Sequence, residues 1–267
     1  SLNADAAERL ELESQLRTAH LRGELRLFYQ PQVDAQTGVV IGAEALMRWV
    51  HPELGMISPG KFIPIAESSG LIVPMGTWAL NEACRQSREW QEAGLPDLTI
   101  AVNLSSLQFQ QANFVDLVAD ALRESGIRPS CLELELTESI VMFDVDQVVA
   151  IIDQLKLLGI QLSIDDFGTG YSSLSYLKRF NVDKLKIDQS FVRDLPGNSS
   201  DAAIVRAMIA LGRNLHLKLI AEGVETAEQA AFLAQEGADE LQGYYFAKPM
   251  PAAQFADFLA QNHRQPH

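Results

Sequence analysis

From about Leu98 onward, short apolar runs alternate with longer stretches in which apolar residues recur every three or four positions. The short runs, at residues 98–103, 132–136, 161–165, 184–187, 217–221 and 240–242, have the length and apolar character of buried strands. Between them, residues 114–125, 145–158, 173–180, 202–214 and 227–236 carry helical spacing, and a last helix is expected near 252–261. Strand, helix, strand at this interval predicts parallel βαβ units. Upstream, residues 25–30 and 39–46 are strand-like, and the turn-rich gap between them, with Pro31 and Gly38, is too short for a helical crossover. That pair is expected to be an antiparallel hairpin. Residues 49–60 have the composition of a loop, followed by helices near 59–68 and 75–93. Eight strands over a chain of this length predict a closed α/β barrel, a (β/α)8 barrel made irregular by its antiparallel first strand.

Ahead of the hairpin, residues 5–25 set Leu10, Leu12, Leu16, Leu21 and Leu25 among charges, which predicts an amphipathic helix. The expected organisation is a helix or linker over 1–24, the barrel over 25–262 and a short tail over 263–267. An opening helix of this kind suggests a piece of a longer protein. The 267 residues, 47% hydrophobic and 21% charged, suit one large globular domain. No apolar run approaches the roughly 20 residues of a membrane span, and the N-terminus lacks a signal-peptide pattern. Cys84 and Cys131 are far apart and have no CxxC partner, which disfavours a disulfide framework or a zinc site. The expectation is a cytoplasmic domain that makes no membrane contact itself. A formal charge of -14 argues against binding DNA or RNA through basic patches. An anionic substrate would need local attraction, and metal ions are the obvious source.

The strand ends change the picture. In order they are Gln30, Glu44, Asn103, Glu135, Asp165 with Asp166, Lys186, Glu222 and Gln242. Any one of these alone is as well explained by a helix cap or a solvated group. In a barrel, however, they converge on one face, where such folds keep their active sites. Two carboxylates about 4 Å apart repel by roughly 4 kcal/mol at an effective dielectric of 20, so Asp165 and Asp166 call for a neutralising partner. The candidate ligands are oxygen donors, and His20, His51, His216, His263 and His267 all lie outside these strand ends. Hard cations such as Mg²⁺ or Mn²⁺ fit such a set, and zinc does not. Two cations sharing a bridging carboxylate would suit phosphodiester hydrolysis. Lys186 could orient or deprotonate a water, neutralise developing charge, or pair with a carboxylate. A one-metal enzyme using Lys186 as a base for proton abstraction is the competing design. The paired aspartates and the number of ligands favour two metals. The run Gly168-Thr169-Gly170 lacks the third glycine of a dinucleotide loop and the Lys-Ser/Thr of a P-loop, so it is expected to be a turn into a helix capped by Ser172 or Ser173.

Eight ordered motifs carry a resemblance: YQPQVD at 29–34, IGAEALMRW around Glu44-Ala45-Leu46, NLS at 103–105, ELTES at 135–139, DDFGTGYSSL at 165–174, KIDQSF at 186–191, EGVE at 222–225 and QGYYFAKPM at 242–250. From about Leu25 to Leu259 the chain resembles the EAL-domain cyclic-di-GMP phosphodiesterases. The resemblance implies an irregular TIM-like barrel that opens cyclic-di-GMP to linear pGpG with Mg²⁺ or Mn²⁺. It also implies a homodimer linked to upstream sensory or regulatory domains of a bacterial signalling protein. Residue by residue, it implies that Glu44, Asn103, Glu135 and Asp165 hold one metal. Asp165 would bridge to a second metal also held by Asp166, with Glu222, Lys186 and Gln242 positioning waters. Gln30, Leu46 and Arg48 would contact the dinucleotide, Arg48 supplying positive charge at a phosphate. Glu138 would anchor the loop at 166–175, accepting hydrogen bonds from its backbone or from Thr169 and Ser172. Ca²⁺, which takes more ligands at longer distances, is expected to permit binding while inhibiting hydrolysis. No motif residue is missing, which favours an enzyme over the alternative of a catalytically weak cyclic-di-GMP receptor.

Overall fold

The computed structural model describes residues 2–170 and 174–262. Its strands are β1 (Leu25–Asp34), β2 (Val40–His51), β3 (Gly55–Ile57), β4 (Thr99–Asn103), β5 (Leu132–Thr137), β6 (Gln161–Phe167), β7 (Lys184–Ile187), β8 (Lys218–Ala221), β9 (Glu240–Gln242) and β10 (Met250–Pro251). Neighbours run β1-β9-β8-β7-β6-β5-β4-β2, and a β1–β2 pairing closes the ring. From β2 through β4 to β9 every neighbour is parallel. β1 alone runs antiparallel to both its flanking strands. The expected barrel with an inverted first strand is what forms.

The helices are α1 (Leu2–Ala19), α2 (Pro59–Ser69), α3 (Ile72–Glu92), α4 (Ser106–Phe109), α5 (Phe114–Ser125), α6 (Glu138–Val141), α7 (Val145–Leu157), α8 (Leu174–Leu177), α9 (Gln189–Val192), α10 (Ser199–Asn214), α11 (Ala227–Glu236) and α12 (Ala252–Asn262). Two expectations need correction. The first helix stops at Ala19, because a turn with Gly23 at φ +70° intervenes and Leu25 already belongs to β1. Leu10 and Leu21 are exposed, while Leu12, Leu16 and Ala19 form the buried stripe against Trp49, Phe62 and Met75. The segment 49–60 is not a plain loop either. β2 continues to His51 and pairs with β3, and the His51 ring Nδ1 accepts the backbone N–H groups of Glu53 and Leu54 at 3.1 and 3.0 Å, closing the turn.

Period-two alternation decides what faces the barrel interior. In β5, Leu132, Leu134 and Leu136 join the core with Val118, Ile152 and Leu155 of the surrounding helices. Glu133 and Glu135 take the opposite face and are equally buried. A strand of leucines alternating with glutamates therefore brings carboxylates inside the barrel. In the loop after β9, a Cβ on Gly243 would run into the backbone of Val224, whose N–H donates to Gln242 O at 3.1 Å. Gly243→Ala should accordingly cost about 1–3 kcal/mol through overpacking, measured by urea titration. Parent-like stability would show that the β9 turn can yield.

Candidate metal centre and active site

Lys186, on the inward face of β7, is fully buried. Its Nζ lies 3.1 Å from Glu44 Oε2, 3.3 Å from Glu135 Oε2 and 3.5 Å from Glu222 Oε2. Glu44 sits mid-strand in β2, with its carboxylate held from two further sides. Asn103 Nδ2 donates to one oxygen at 2.9 Å and Gln242 Nε2 to the other at 2.6 Å. Gln242 also donates to Gln30 Oε1 at 2.9 Å and accepts from Gln32 Nε2 at 3.0 Å. Gln30 Nε2 in turn donates to Ala247 O at 3.2 Å. Gln30 is buried within this chain of amides.

Adjacent residues of a regular strand point to opposite faces, so Asp165 and Asp166 need a break in β6 to act together. The register with β7 shifts between Ile164 and Phe167, and Asp166 has φ +56°, a left-handed value unusual for a side-chain-bearing residue. Asp166 N–H donates back to Asp165 Oδ1 at 2.7 Å. With that kink, one oxygen each from Asp165, Asp166 and Glu222 lies within 4.8 Å of the others.

The turn beyond is held partly as expected. Glu138 Oε2 accepts the Gly170 N–H at 3.1 Å. Thr169 does not reach Glu138, because its hydroxyl donates to Asp166 O at 2.7 Å, closing the turn locally. Ser172 and Ser173, expected as an anchor donor and helix caps, lie outside the described residues. Leu46 and Arg48, further along β2, line a cavity of about 270 Å³ with Asn103, Pro59 and Glu67. The Arg48 guanidinium stands 5.8 Å from the centroid of the Phe28 ring, and its Nη1 donates to Met47 O at 3.0 Å.

One participant escaped the strand-end reading. Asp188 is close enough to Asp166 and Glu222 for its charge to raise the pKa of both. It follows Ile187, the last residue of β7, and caps α9 by accepting Ser190 N–H at 3.0 Å. A carboxylate two residues beyond the inward lysine was the available signal, and the cap role accounts for it locally.

The electrostatics are those of crowded like charges. Burial, then Asp165, pushes Asp166 up to about 7. Burial raises Glu222 to about 7 as well, against the opposing pull of Lys186. Glu135 stands well above the carboxylate range through burial and the charge of Glu44, and burial raises Asp165 too. Glu44 and Asp188 are the exceptions, Asp188 being held low against burial by its hydrogen bonds with Ser190. Burial disfavours the charge of Glu44, but Lys186, Asn103 and Gln242 together outweigh it and hold its pKa low. For Lys186, burial opposes the charge, and Glu135, Glu44 and Glu222 overcome it, so the ammonium keeps its proton well above its usual range. Six carboxyl groups, those of Glu44, Glu135, Asp165, Asp166, Asp188 and Glu222, thus surround one ammonium, and ionising them all leaves a negative excess that divalent cations would offset. Carboxylate and amide oxygens are the donors that Mg²⁺ and Mn²⁺ prefer, so the residues fit such ions.

A family model described as the EAL domain matches residues 13–249. Among curated proteins, the chain is 54% identical over 260 residues to the bifunctional diguanylate cyclase/cyclic di-GMP phosphodiesterase MucR of Pseudomonas aeruginosa, covering 97% of this chain and 38% of that protein. It is 44% identical over 254 residues to the cyclic di-GMP phosphodiesterase NbdA of the same organism, covering 95% of this chain and 32% of that protein. The chain thus spans well under half the length of these relatives. Among solved structures, the PaMucR phosphodiesterase in complex with c-di-GMP matches with a TM-score of 0.89 and 53% identity, over 92% of this chain and 99% of that one. The FimX EAL domain from Pseudomonas aeruginosa bound to c-di-GMP matches with a TM-score of 0.81 and 26% identity, over 91% and 96%.

Between about pH 4 and pH 7, the folded protein retains protons on Asp166 and Glu222 that an unfolded chain has released. Stability of the metal-free protein should therefore fall as pH rises through that window. Divalent cations should restore it most where the carboxylates are ionised. In thermal melts at about pH 5.5 and about pH 8, Mg²⁺ should raise the melting temperature more at the higher pH. A Mg²⁺ effect of equal size at both values would contradict this charge picture.

Proposed function

The chain belongs to the EAL domain family, and on that premise we propose that it hydrolyses cyclic-di-GMP to linear pGpG, using two Mg²⁺ or Mn²⁺ ions, as a module of a longer bacterial signalling protein. The observation that carries this reading is the convergence of Glu44, Glu135 and Glu222 on Lys186, beside three carboxylates whose oxygens cluster within 4.8 Å. Glu44, Asn103, Glu135 and Asp165 would hold one ion, and Asp165 and Asp166 the other. Such ions supply charge for the phosphate and ease deprotonation of water.

The side chains do the rest. Water attacks phosphorus, the bond to one ribose 3′ oxygen breaks, and the ring opens. Lys186, locked in its charged state, offsets negative charge that develops during attack. The same lock disfavours the competing design in which Lys186 acts as a base. Glu222, 3.5 Å from that ammonium, orients the water. Gln242 fixes the Glu44 carboxylate and the Gln30 amide. Arg48 meets a phosphate, and Leu46 and Gln30 line the approach. The wider proposal is a homodimer in the cytoplasm, with residues 1–24 connecting the 25–262 barrel to upstream domains. No helix among the described residues is long and apolar enough to cross a membrane.

Incubating the purified chain with cyclic-di-GMP and Mg²⁺ should yield pGpG by chromatography. Glu44→Ala should lower turnover at least about a hundredfold, as loss of an ion ligand commonly does. Replacing Mg²⁺ by Ca²⁺ should preserve nucleotide binding and stop turnover. Binding without product in Mg²⁺ would make the domain a receptor, and undiminished turnover by Glu44→Ala would remove Glu44 from the site.

The Glu138 contact bears on the same reaction. One charge-assisted bond to Gly170 N–H, worth roughly 1.5–3 kcal/mol, holds the turn that leaves Asp165 and Asp166. Glu138→Ala should lower turnover about tenfold and raise the Mg²⁺ requirement. A parent-like Mg²⁺ titration would free the turn from Glu138.

A further inference from the structure

Beneath the site lies a second buried polar layer. On four strands, a polar side chain sits two residues before a site residue: Glu133 before Glu135, Ser163 before Asp165, Lys184 before Lys186, and Glu240 before Gln242. The two-residue period puts each pair on the same inward face, separated by roughly 7 Å along the strand. All four lower residues are buried, with relative exposures of 1% for Glu133 and Ser163, 4% for Lys184 and 5% for Glu240. Lys184 Nζ lies 2.6 Å from Glu240 Oε2 and 2.9 Å from Glu133 Oε1. Ser163 Oγ donates to the other Glu133 oxygen at 3.2 Å. The Glu133 Oε1 contact is charge on charge, since that oxygen has no hydrogen bond of good geometry.

In the ring, β5 and β9 flank β7 at a distance, with β6 on one side and β8 on the other. Lys184 therefore ties together three strands that do not all touch, across the barrel interior. The inner layers of such barrels are ordinarily filled by branched apolar residues. Replacing a buried ion pair by well-packed apolar groups is often neutral or stabilising. Fold stability alone thus gives no reason for this triad. Its location does give one, because Glu135, Lys186 and Gln242 are each the next inward residue on the strands it joins. β7 is only four residues long, Lys184–Ile187, so a movement of Lys184 is a movement of Lys186.

We propose that Lys184, through Glu133 and Glu240, is a positioning residue that sets the spacing of β5, β7 and β9 and with it the geometry of the ion-binding carboxylates. The proposal rests on the reading of this rim as a divalent-cation site. Groups that orient metal ligands typically contribute ten- to a hundredfold to metal affinity.

The test is the triple variant Lys184→Met, Glu133→Gln, Glu240→Gln, which removes the triad without leaving a buried unpaired charge. Its melting temperature in the absence of metal should match or exceed the parent's. Calorimetric Mn²⁺ affinity should fall by about tenfold or more, and the Mn²⁺ concentration for half-maximal turnover should rise in step. The KM for cyclic-di-GMP at saturating metal should stay within about twofold, since substrate contacts are untouched. Parent-like Mn²⁺ affinity in the folded triple variant would overturn the proposal. Should the triple variant fail to fold, Glu240→Gln alone keeps the Lys184–Glu133 pair and decides the matter, with unchanged Mn²⁺ affinity overturning the proposal and weakened affinity supporting it. A parent that binds Mn²⁺ but does not cleave cyclic-di-GMP would sink the phosphodiesterase reading, while the calorimetric comparison would still judge Lys184.

Discussion

One buried ammonium is the constraint on which this barrel depends. Taking Lys186 out of water costs several kcal/mol, as does each carboxylate around it. Neither Lys186 nor Glu135 is tolerable alone, and their 3.3 Å contact makes burial of both possible. The same ammonium reaches Glu44 on β2 and Glu222 beyond β8, so strands from opposite parts of the ring meet at one charge. Barrel closure and site assembly are therefore one event. The inverted β1 takes part, because Gln30 and Gln32 on that strand hold the Gln242 amide that steadies Glu44.

The second constraint is local. A non-glycine residue held in the left-handed region costs on the order of 1–3 kcal/mol, and Asp166 is held there beside a like charge. The surroundings compensate by the Asp165–Asp166 backbone bond, the Thr169 closure of the turn and the Glu138 contact with Gly170. Gly168, at φ +92°, takes the next left-handed position, where a side chain would also meet Phe191. Strain and charge crowding are concentrated where an incoming cation would relieve the charge.

Much of this was legible in the primary structure, for identifiable reasons. Parallel strands show themselves by apolar runs at regular intervals, and inward residues by their period, so Glu44, Glu135, Lys186 and Gln242 could be placed on one face before any coordinates. What was not legible depended on contacts distant in sequence or on backbone geometry. The His51 ring that closes the β2–β3 turn draws its partners from a segment whose composition is that of a loop. The end of α1 follows from Gly23 and from which leucines find Trp49, and the apolar spacing alone also admitted Leu21 and Leu25. Asp188 was hidden because a helix cap already explains an aspartate at that position. Asp165 and Asp166 were expected to act together, but the bulge that lets adjacent strand residues do so is backbone geometry that the sequence does not show.

The formal charge of -14 poses a last question for any anionic ligand. At physiological salt, fields decay over about 8 Å, so the charge of the remote surface matters little at the rim. What an approaching phosphate meets is local: Arg48, the Lys186 ammonium and the surrounding carboxylates. While those carboxylates are unmatched, the local field repels anions, and divalent cations would offset it. On the proposed function, cation and nucleotide affinities are coupled, and by linkage each raises the other by the same factor. The acidity of the rim is thus not at odds with an anionic substrate. On the proposed function, occupancy by cations favours binding one, and the geometry that gathers those carboxylates, Lys184 layer included, would bear on nucleotide affinity below metal saturation without any residue of that layer touching the nucleotide.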